Sequence, residues 1–166
     1  MNQILDSLLH VLNEETRLYR LALELSQKEN ESMVGSHLDA FRETTERKTS
    51  LVVKIQELEQ DRQVIIKDLA EALGQPSDGF NLGKLAQMVE ETYARKLRDC
   101  RSNLVNLINA LSEINSRNRE FISHSLKVIK SGFLFLNNLT ASNTVYQCSG
   151  RMMTSRRSGR VLSGEF

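Results

Sequence analysis

Some residues of this sequence have types that could carry out chemistry, but their spacing does not fit any catalytic or metal site. Segment 79–85 (GFNLGKL) resembles a phosphate-binding loop, yet it is one residue short, lacks the Ser or Thr after the lysine, and follows no predicted strand. A turn between helices is the better interpretation. His10, His37 and His124 have no HExxH or Cys/His spacing around them, so we expect them on the surface or at helix ends.

The two cysteines also fail to form a recognisable site. Cys100 and Cys148 form neither a CxxC pair nor a metal-ligand cluster, which is typical of buried or idle thiols in a reducing compartment. Serines, histidines and acids are present, but a helical rod supplies no sharp nucleophile turn and no oxyanion hole. The sequence therefore predicts a protein that is not an enzyme and that needs no cofactor or metal.

The most informative polar residues interrupt a long apolar helix. Residues 92–139 contain no proline and a single glycine, Gly132. Two seven-residue seams run along them: Leu97, Leu104, Leu111, Asn118 and Ser125 form one, and Cys100, Leu107, Ile114, Phe121, Val128 and Phe135 form the other. At about 1.5 Å per residue this helix would be roughly 70 Å long, so it needs other long helices beside it.

Asn115 and Asn118 break the apolar seam and allow two interpretations. Buried amides can fix the register between helices at a cost in stability. Alternatively, this face is left incompletely satisfied so that a partner helix can bind it. The spacing of the residues favours the first interpretation and leaves the second open.

The preceding sequence predicts two more long helices and a short one. A first helix is expected over residues 2–32 and a second over 37–73, the latter ended by Gly74 and Pro76. Ser36 is predicted to cap the second helix, with Asp39 completing a capping box. After the turn 74–79, Asn81 is expected to cap a short connector helix, and the last helix begins near 91 or 92. The fold class is all-α: an elongated antiparallel helical bundle or coiled coil of three long helices plus a short connector helix.

Charged and polar residues accompany both early helices. Around the apolar stripe of the first helix lie Glu14, Glu15, Arg17, Arg20, Glu24 and Lys28, which we expect on solvated faces. In the second helix, Thr45, Lys48 and Arg62 dilute a stripe that starts at Leu38. The second helix is therefore either partly exposed or paired with a polar stretch of its neighbour.

The composition and the C-terminal sequence set the domain organisation. With a formal net charge of +1, the molecule has no bulk attraction for nucleic acid or anionic membrane. The N-terminus does not resemble a signal peptide, and no apolar run reaches membrane-spanning length, so a cytoplasmic location is predicted. Residues 1–140 are predicted to form the helical domain. Residues 141–166, rich in Gly, Ser and Arg, are predicted to form a flexible basic C-terminal tail.

Two segments of the last third resemble motifs of one known family. Segment 111–118 (LSEINSRN), with apolar pairs downstream, is similar to a Leu-x-x-Leu-Asn-x-x-Asn segment in that family's last helix. Segment 144–150 (TVYQCSG) is similar to the Thr-x-Tyr-Gly-x-x-Gly element that follows that helix, although Gln147 replaces the usual glycine. With both segments in this order, the chain resembles the FlgN-type flagellar type III export chaperones. The resemblance covers most of the chain, and its distinctive part is the last third.

The resemblance implies a chaperone without ATPase activity. Such a protein would bind the C-terminal amphipathic helices of hook–filament junction proteins (FlgK/FlgL-like), prevent their premature assembly, and deliver them to the cytoplasmic domain of the export gate. We place substrate capture on Asn115, Asn118, Phe121, Ile122, Leu126, Ile129, Phe133 and Leu136. Tyr146 is expected to contact the export gate, although its ring could instead fold back on the end of the bundle.

Two other classes of protein remain open from the residues themselves. One is a structural coiled-coil component whose seam is filled permanently by itself. The other is a nucleic-acid accessory protein that uses the arginines of its tail, although stacking aromatics and a basic stripe are missing. An exposed seam could also be covered by a second copy, so a homodimer is possible.

Overall fold

The computed structural model describes residues 1–141, with side chains as far as residue 138. Its four helices are α1 (Asn2–Val34), α2 (Leu38–Ala72), α3 (Leu82–Met88) and α4 (Glu91–Ala141). The described residues contain no strand, and the prediction of an all-α bundle with a short connector helix is confirmed. Residues 142–166, which include Tyr146 and Cys148, lie outside the described residues. The predicted tail and its boundary therefore stay predictions.

The chain divides into two units, Met1–Glu120 and Phe121–Phe166. The first unit contains α1, α2, α3 and the first 30 residues of α4. Of the second unit, the structure describes the remainder of α4.

Side-chain hydrogen bonds within the first unit give the direction of each helix. The hydroxyl of Tyr19 on α1 donates to Glu59 on α2, and Lys48 on α2 reaches Glu29 further along α1, so these two helices are antiparallel. In contrast, Tyr93 on α4 pairs with Asp6 of α1, 87 positions away, and Asn115 of α4 pairs with Ser26, 89 positions away. This nearly constant offset makes α1 and α4 parallel. The connector α3 lets the chain return in the direction of α1.

Two apolar clusters form the core of the first unit. The first joins all four helices and consists of Leu5, Leu8, Leu9, Leu12, Ile66, Leu69, Leu82, Leu85, Ala86, Ala94, Leu97 and Leu104. The second consists of Leu18, Ala22, Leu25, Leu51 and Ile55. The predicted stripe of the second helix starts at Leu38, but this residue is 76% exposed and lies outside both clusters.

A charged group lies between the two clusters along α1. Glu15 is only 1% exposed and accepts a hydrogen bond of 2.8 Å from Nε of Arg62 on α2. The expectation that Glu15 lies on a solvated face is therefore wrong, because α1 turns this side chain inward where Arg62 can neutralise it. Burial raises the pKa of Glu15, while the hydrogen bond and charge of Arg62 lower it.

The turn between α1 and α2 differs from the prediction. Ser36 does not cap α2; His37 precedes the helix, and it makes no side-chain capping bond. Ser36 instead adopts a left-handed conformation with φ of +57°, and the amide of His37 donates to the carbonyl of Ser32. These are the features of a Schellman motif, which usually has glycine at the left-handed position. The capping-box prediction failed because Ser36 serves the end of α1 rather than the start of α2.

The end of α2 has the same motif with the usual residue. Gly74 has φ of +63°, and the amide of Gln75 donates to the carbonyl of Ala70. Downstream, Oδ1 of Asn81 accepts from the amides of Gly83 and Lys84 at 3.0 and 3.1 Å, which confirms the predicted cap of α3. The amides that a phosphate loop would use are thus engaged in a helix cap, as the turn interpretation expected.

Replacing Ser36 with glycine should stabilise the protein. A left-handed conformation costs a non-glycine residue roughly 1–2 kcal/mol, which glycine avoids. Glycine, however, loses more backbone entropy on folding, which offsets about 0.5–1 kcal/mol of this gain. We therefore expect Ser36→Gly to raise the free energy of unfolding by about 0.5–1 kcal/mol in urea denaturation. The matched variant Gly74→Ser should lower it, since added atoms there meet only open space and the effect is purely that of the backbone. An unchanged or lower stability of Ser36→Gly would contradict this account of the turn.

Replacing Glu15 with glutamine should change how stability depends on pH. Because the pKa of Glu15 is raised above its usual 4.5, the folded state holds this proton more tightly than the unfolded chain does. The contribution of Glu15 to stability is therefore present below about pH 4.5 and is lost as the pH rises through the raised pKa. Glu15→Gln should gain stability relative to the wild type over that window, as measured by urea unfolding at a series of pH values. If the variant instead loses stability relative to the wild type as the pH rises, the ion pair with Arg62 outweighs the cost of burying the charged Glu15 carboxylate.

Candidate partner-binding face

A second polar group, here called the polar layer, joins α1, α2 and α4 near the end of the first unit. Its members have side chains that hydrogen-bond to one another across helices: Ser26, Glu29, Asn30, Thr45, Lys48, Asn115 and Asn118. The layer follows the second apolar cluster along α1. It contains both asparagines that interrupt the apolar seam of α4.

Asn118 is the most buried amide of the polar layer, with 3% of its surface exposed. Its Nδ2 donates to the carbonyl of Ser26 at 2.9 Å and to Glu29 at 3.0 Å, and its Oδ1 accepts from Asn30 at 2.8 Å. All of these partners lie on α1. The interpretation of Asn118 as a buried amide is therefore confirmed, whereas its predicted contact with a substrate stays a prediction.

Lys48 connects α2 to both of the other long helices. Its Nζ lies 2.6 Å from Oε2 of Glu29 on α1 and 2.8 Å from Oδ1 of Asn115 on α4. Thr45 reaches the other oxygen of Glu29 at 3.4 Å. Of the two interpretations of α2, the structure supports pairing: the residues that dilute its stripe face polar residues of its neighbours.

The polar layer is satisfied internally. Among the described residues, every fully buried side-chain nitrogen or oxygen has a hydrogen-bond partner. Buried polar networks of this kind gain little net stability, yet losing one member leaves the others unpaired in a region of low dielectric. Because its bonds form only at one alignment, the layer fixes the register of α4 against α1 and α2.

From Phe121 to residue 138 the burial pattern of α4 is different, since every large apolar side chain described there is exposed. The exposed fractions run from 38% for Ile122 to 63% for Phe135. Six of the predicted capture residues are in this set: Phe121, Ile122, Leu126, Ile129, Phe133 and Leu136. Val128 and Phe135 are exposed as well, although the sequence pattern placed them in a seam and not among the capture residues. Because Phe121 belongs to the same seam, their seam position could have indicated that they share its environment.

These side chains share one side of the helix. At 3.6 residues per turn, eight of them fall within about half of the circumference. We call this set the apolar face: Phe121, Ile122, Leu126, Val128, Ile129, Phe133, Phe135 and Leu136. The opposite side carries the polar residues His124, Lys127, Lys130 and Ser131, together with Leu134. Such an arrangement can bury another amphipathic helix side by side.

The described residues offer little for catalysis. A surface recess of about 560 Å³ beside α1 and α4 is lined by His10, Asp99 and Cys100, among others. Burial, helped by the charge of Asp99, raises the pKa of the Cys100 thiol, which keeps it protonated and a poor nucleophile. Among residues 1–141, no group of three or more His, Cys, Asp or Glu is placed to hold a metal ion. No helix in that range has the length and hydropathy needed to cross a membrane.

Comparison with protein families identifies the class of protein to which this chain belongs. The model of one family, described as FlgN protein, matches residues 1–154. The chain belongs to the FlgN family. This confirms the resemblance found in segments 111–118 and 144–150. Searches of curated proteins and of solved structures find no significant match.

Membership of the FlgN family establishes the general function. The family consists of flagellar export chaperones rather than enzymes, so this chain is a chaperone that binds flagellar export substrates. The polar layer uses its hydrogen bonds inside the bundle, whereas the apolar face of this FlgN-family chain is exposed.

Removing the amide of Asn118 should destabilise the bundle. Asn118→Ala leaves Asn30, the Ser26 carbonyl and Glu29 each short of one hydrogen bond, so we expect a loss of about 2–4 kcal/mol in the free energy of unfolding. The matched control Asn109→Ala, at an exposed position of the same helix, should change it by less than about 0.5 kcal/mol. Equal effects of the two variants in urea denaturation would show that the polar layer does not hold α4.

Proposed function

We propose that the apolar face of α4 captures the C-terminal amphipathic helices of hook–filament junction proteins. The chaperone holds these helices apart from one another and so prevents premature assembly. The observation that carries this proposal is the exposure of all eight side chains of the face. Contiguous exposed apolar surface of this kind marks interaction sites in proteins that are otherwise well packed.

The energetics of the face are adequate for a specific complex. Burying one Leu or Phe side chain contributes roughly 1.5–3 kcal/mol, so a few of the eight exposed residues suffice for micromolar affinity after the costs of association. Helix-in-groove binding reads a partner at spacings of three and four residues, which are the spacings of Ile122, Leu126, Ile129 and Phe133. A partner that places its own apolar stripe against these residues would be recognised by the fit between the two apolar surfaces.

Asn115 and Asn118 enter the proposal in a supporting role. Their hydrogen bonds to α1 and α2 occupy the amide groups of the free chaperone. We propose that they hold the start of the capture segment in a fixed register. The binding energy then comes from the six apolar capture residues downstream of them.

Truncating the apolar face should weaken substrate binding without unfolding the protein. Because Ile122 and Phe133 are 38% and 58% exposed, Ile122→Ala or Phe133→Ala should leave the helical circular dichroism and melting temperature nearly unchanged. Each should reduce affinity for a junction-protein C-terminal peptide by about tenfold in fluorescence anisotropy.

The matched control for this experiment is Val64→Ala. Val64 is 59% exposed and lies on α2 within the first unit, so its truncation removes exposed apolar area elsewhere. Peptide affinity should not change in this variant. Normal binding by both Ile122→Ala and Phe133→Ala would place capture elsewhere, and unfolding of both would identify these residues as core.

Delivery to the export gate is assigned to Tyr146. The residue follows α4 by five positions, and tyrosine combines a large apolar ring with a hydroxyl at low entropic cost, which suits a transient contact. We propose that capture by the apolar face and delivery by Tyr146 are separate functions of the chain.

The variant Tyr146→Ala tests this separation. It should bind the junction-protein peptide with near-normal affinity, fail to retain the cytoplasmic gate domain in a pull-down, and reduce motility. Loss of peptide binding would assign Tyr146 to the capture site, and normal gate binding would remove it from the mechanism.

A further inference from the structure

Charge is distributed unevenly along this nearly neutral chain. From Phe121 to Gly164 there is no Asp or Glu, and the only acid beyond Glu120 is Glu165. The same part of the chain, residues 121–166, contains six Lys and Arg residues. The remaining 120 residues hold 16 basic and 20 acidic residues, so the apolar face belongs to the basic part of the molecule.

The described part of this basic segment places one of its charges at the edge of the apolar face. Lys127 and Lys130 are both exposed, and Lys127 lies on the side of α4 opposite the face. Lys130 is next to Leu126 around the helix, at the edge of the face. A helix docked on the face would therefore bring its own flanking residues close to Lys130, with no carboxylate of this segment to compete for it.

We propose that the apolar face binds an amphipathic helix whose apolar stripe is flanked by Asp and Glu. This inference rests on the proposed capture function and specifies the chemistry of the helix that is captured. The apolar stripe provides affinity, and the acidic flank beside Lys130 selects the partner and its orientation.

Charge also argues against the two occupants that the chain itself could supply. In a second copy docked antiparallel on the same segment, Lys130 would lie near its own counterpart, close to the middle of the contact. Residues 142–166 carry four arginines against one acid, so that segment would bring like charge to the same lysine. Like-charge contacts are unfavourable in both cases, whereas an acidic helix complements the site.

An anionic membrane surface fits the segment less well than an acidic helix does. Helices that lie on membranes usually have a polar side rich in Lys and Arg. Here the side opposite the apolar face carries only two lysines, and its other members include Ser123, His124, Ser131 and Leu134. Lys130 at the edge of the face can orient a protein partner, but two charges contribute little attraction to a lipid surface.

Three designed peptides test the proposal with the full-length chain. They share one helical apolar stripe of leucines and differ only in the flanking positions, which are Glu, Gln or Lys. In fluorescence anisotropy at low salt, the Glu-flanked peptide should bind about 3- to 10-fold more tightly than the Gln-flanked one, and the Lys-flanked peptide should bind most weakly. The differences should shrink as salt is added, because exposed ion pairs are screened.

A charge-reversed variant assigns the selectivity to Lys130. In the variant Lys130→Glu, the order of the three peptides should invert. The control Lys67→Glu makes the same change of net charge at an exposed position of α2 and should keep the wild-type order. Circular dichroism of both variants confirms that they are folded.

The alternative results separate this inference from the proposed function. Equal affinity for all three peptides would overturn the acidic-partner proposal and leave helix capture standing, whereas no binding of any peptide would overturn both. Binding to phosphatidylserine vesicles that displaces the Glu-flanked peptide would assign the face to a membrane. Self-association that Leu126→Ser abolishes would assign it to a second copy, and either result would overturn the proposal.

Discussion

The carboxylate of Glu29 lies almost buried in the first unit and accepts hydrogen bonds from two other helices. Lys48 of α2 and Asn118 of α4 both donate to it, and Asn115 shares the same lysine. A buried charge of this kind is tolerated only when its partners are in place, so three helices must align at one register before the unit is stable. The parallel course of α1 and α4 and the burial of Leu97 and Leu104 are consistent with that single alignment.

The long helix α4 accordingly has two parts that differ in burial. Up to Asn118, one seam of α4 is largely buried, and the side-chain amides of Asn115 and Asn118 are hydrogen-bonded to α1 and α2. From Phe121 to residue 138 the same helix carries nine exposed large apolar side chains, eight of them in the apolar face, and no acid. The capture of helical substrates that we propose would use both parts, because it combines a stable unit with exposed apolar surface.

The helices could be predicted from the sequence because periodic apolar residues, Gly74 and the Asn81 cap are local signals. The exposed segment that we propose for capture was singled out from the sequence because Asn115 and Asn118 mark the point at which the apolar seam changes, and its role in capture stays a prediction. Neither the inward turn of Glu15 nor the pairing of Lys48 with Glu29 could be predicted, since each depends on a partner more than 15 positions away. Ser36 was misassigned because serine is a common helix cap and a rare left-handed residue, so its local preference pointed to the wrong helix.

The central claim is that substrate binds the exposed part of α4 and leaves the buried core unchanged. Methyl NMR of the isoleucines tests it most directly, because Ile122 and Ile129 are in the apolar face while Ile55 and Ile66 are in the core of the first unit. On titration with a junction-protein C-terminal peptide, the account predicts large shifts for Ile122 and Ile129 and small ones for Ile55 and Ile66. Large shifts confined to Ile55 and Ile66, or no shift at Ile122 and Ile129 at saturating peptide, would contradict it.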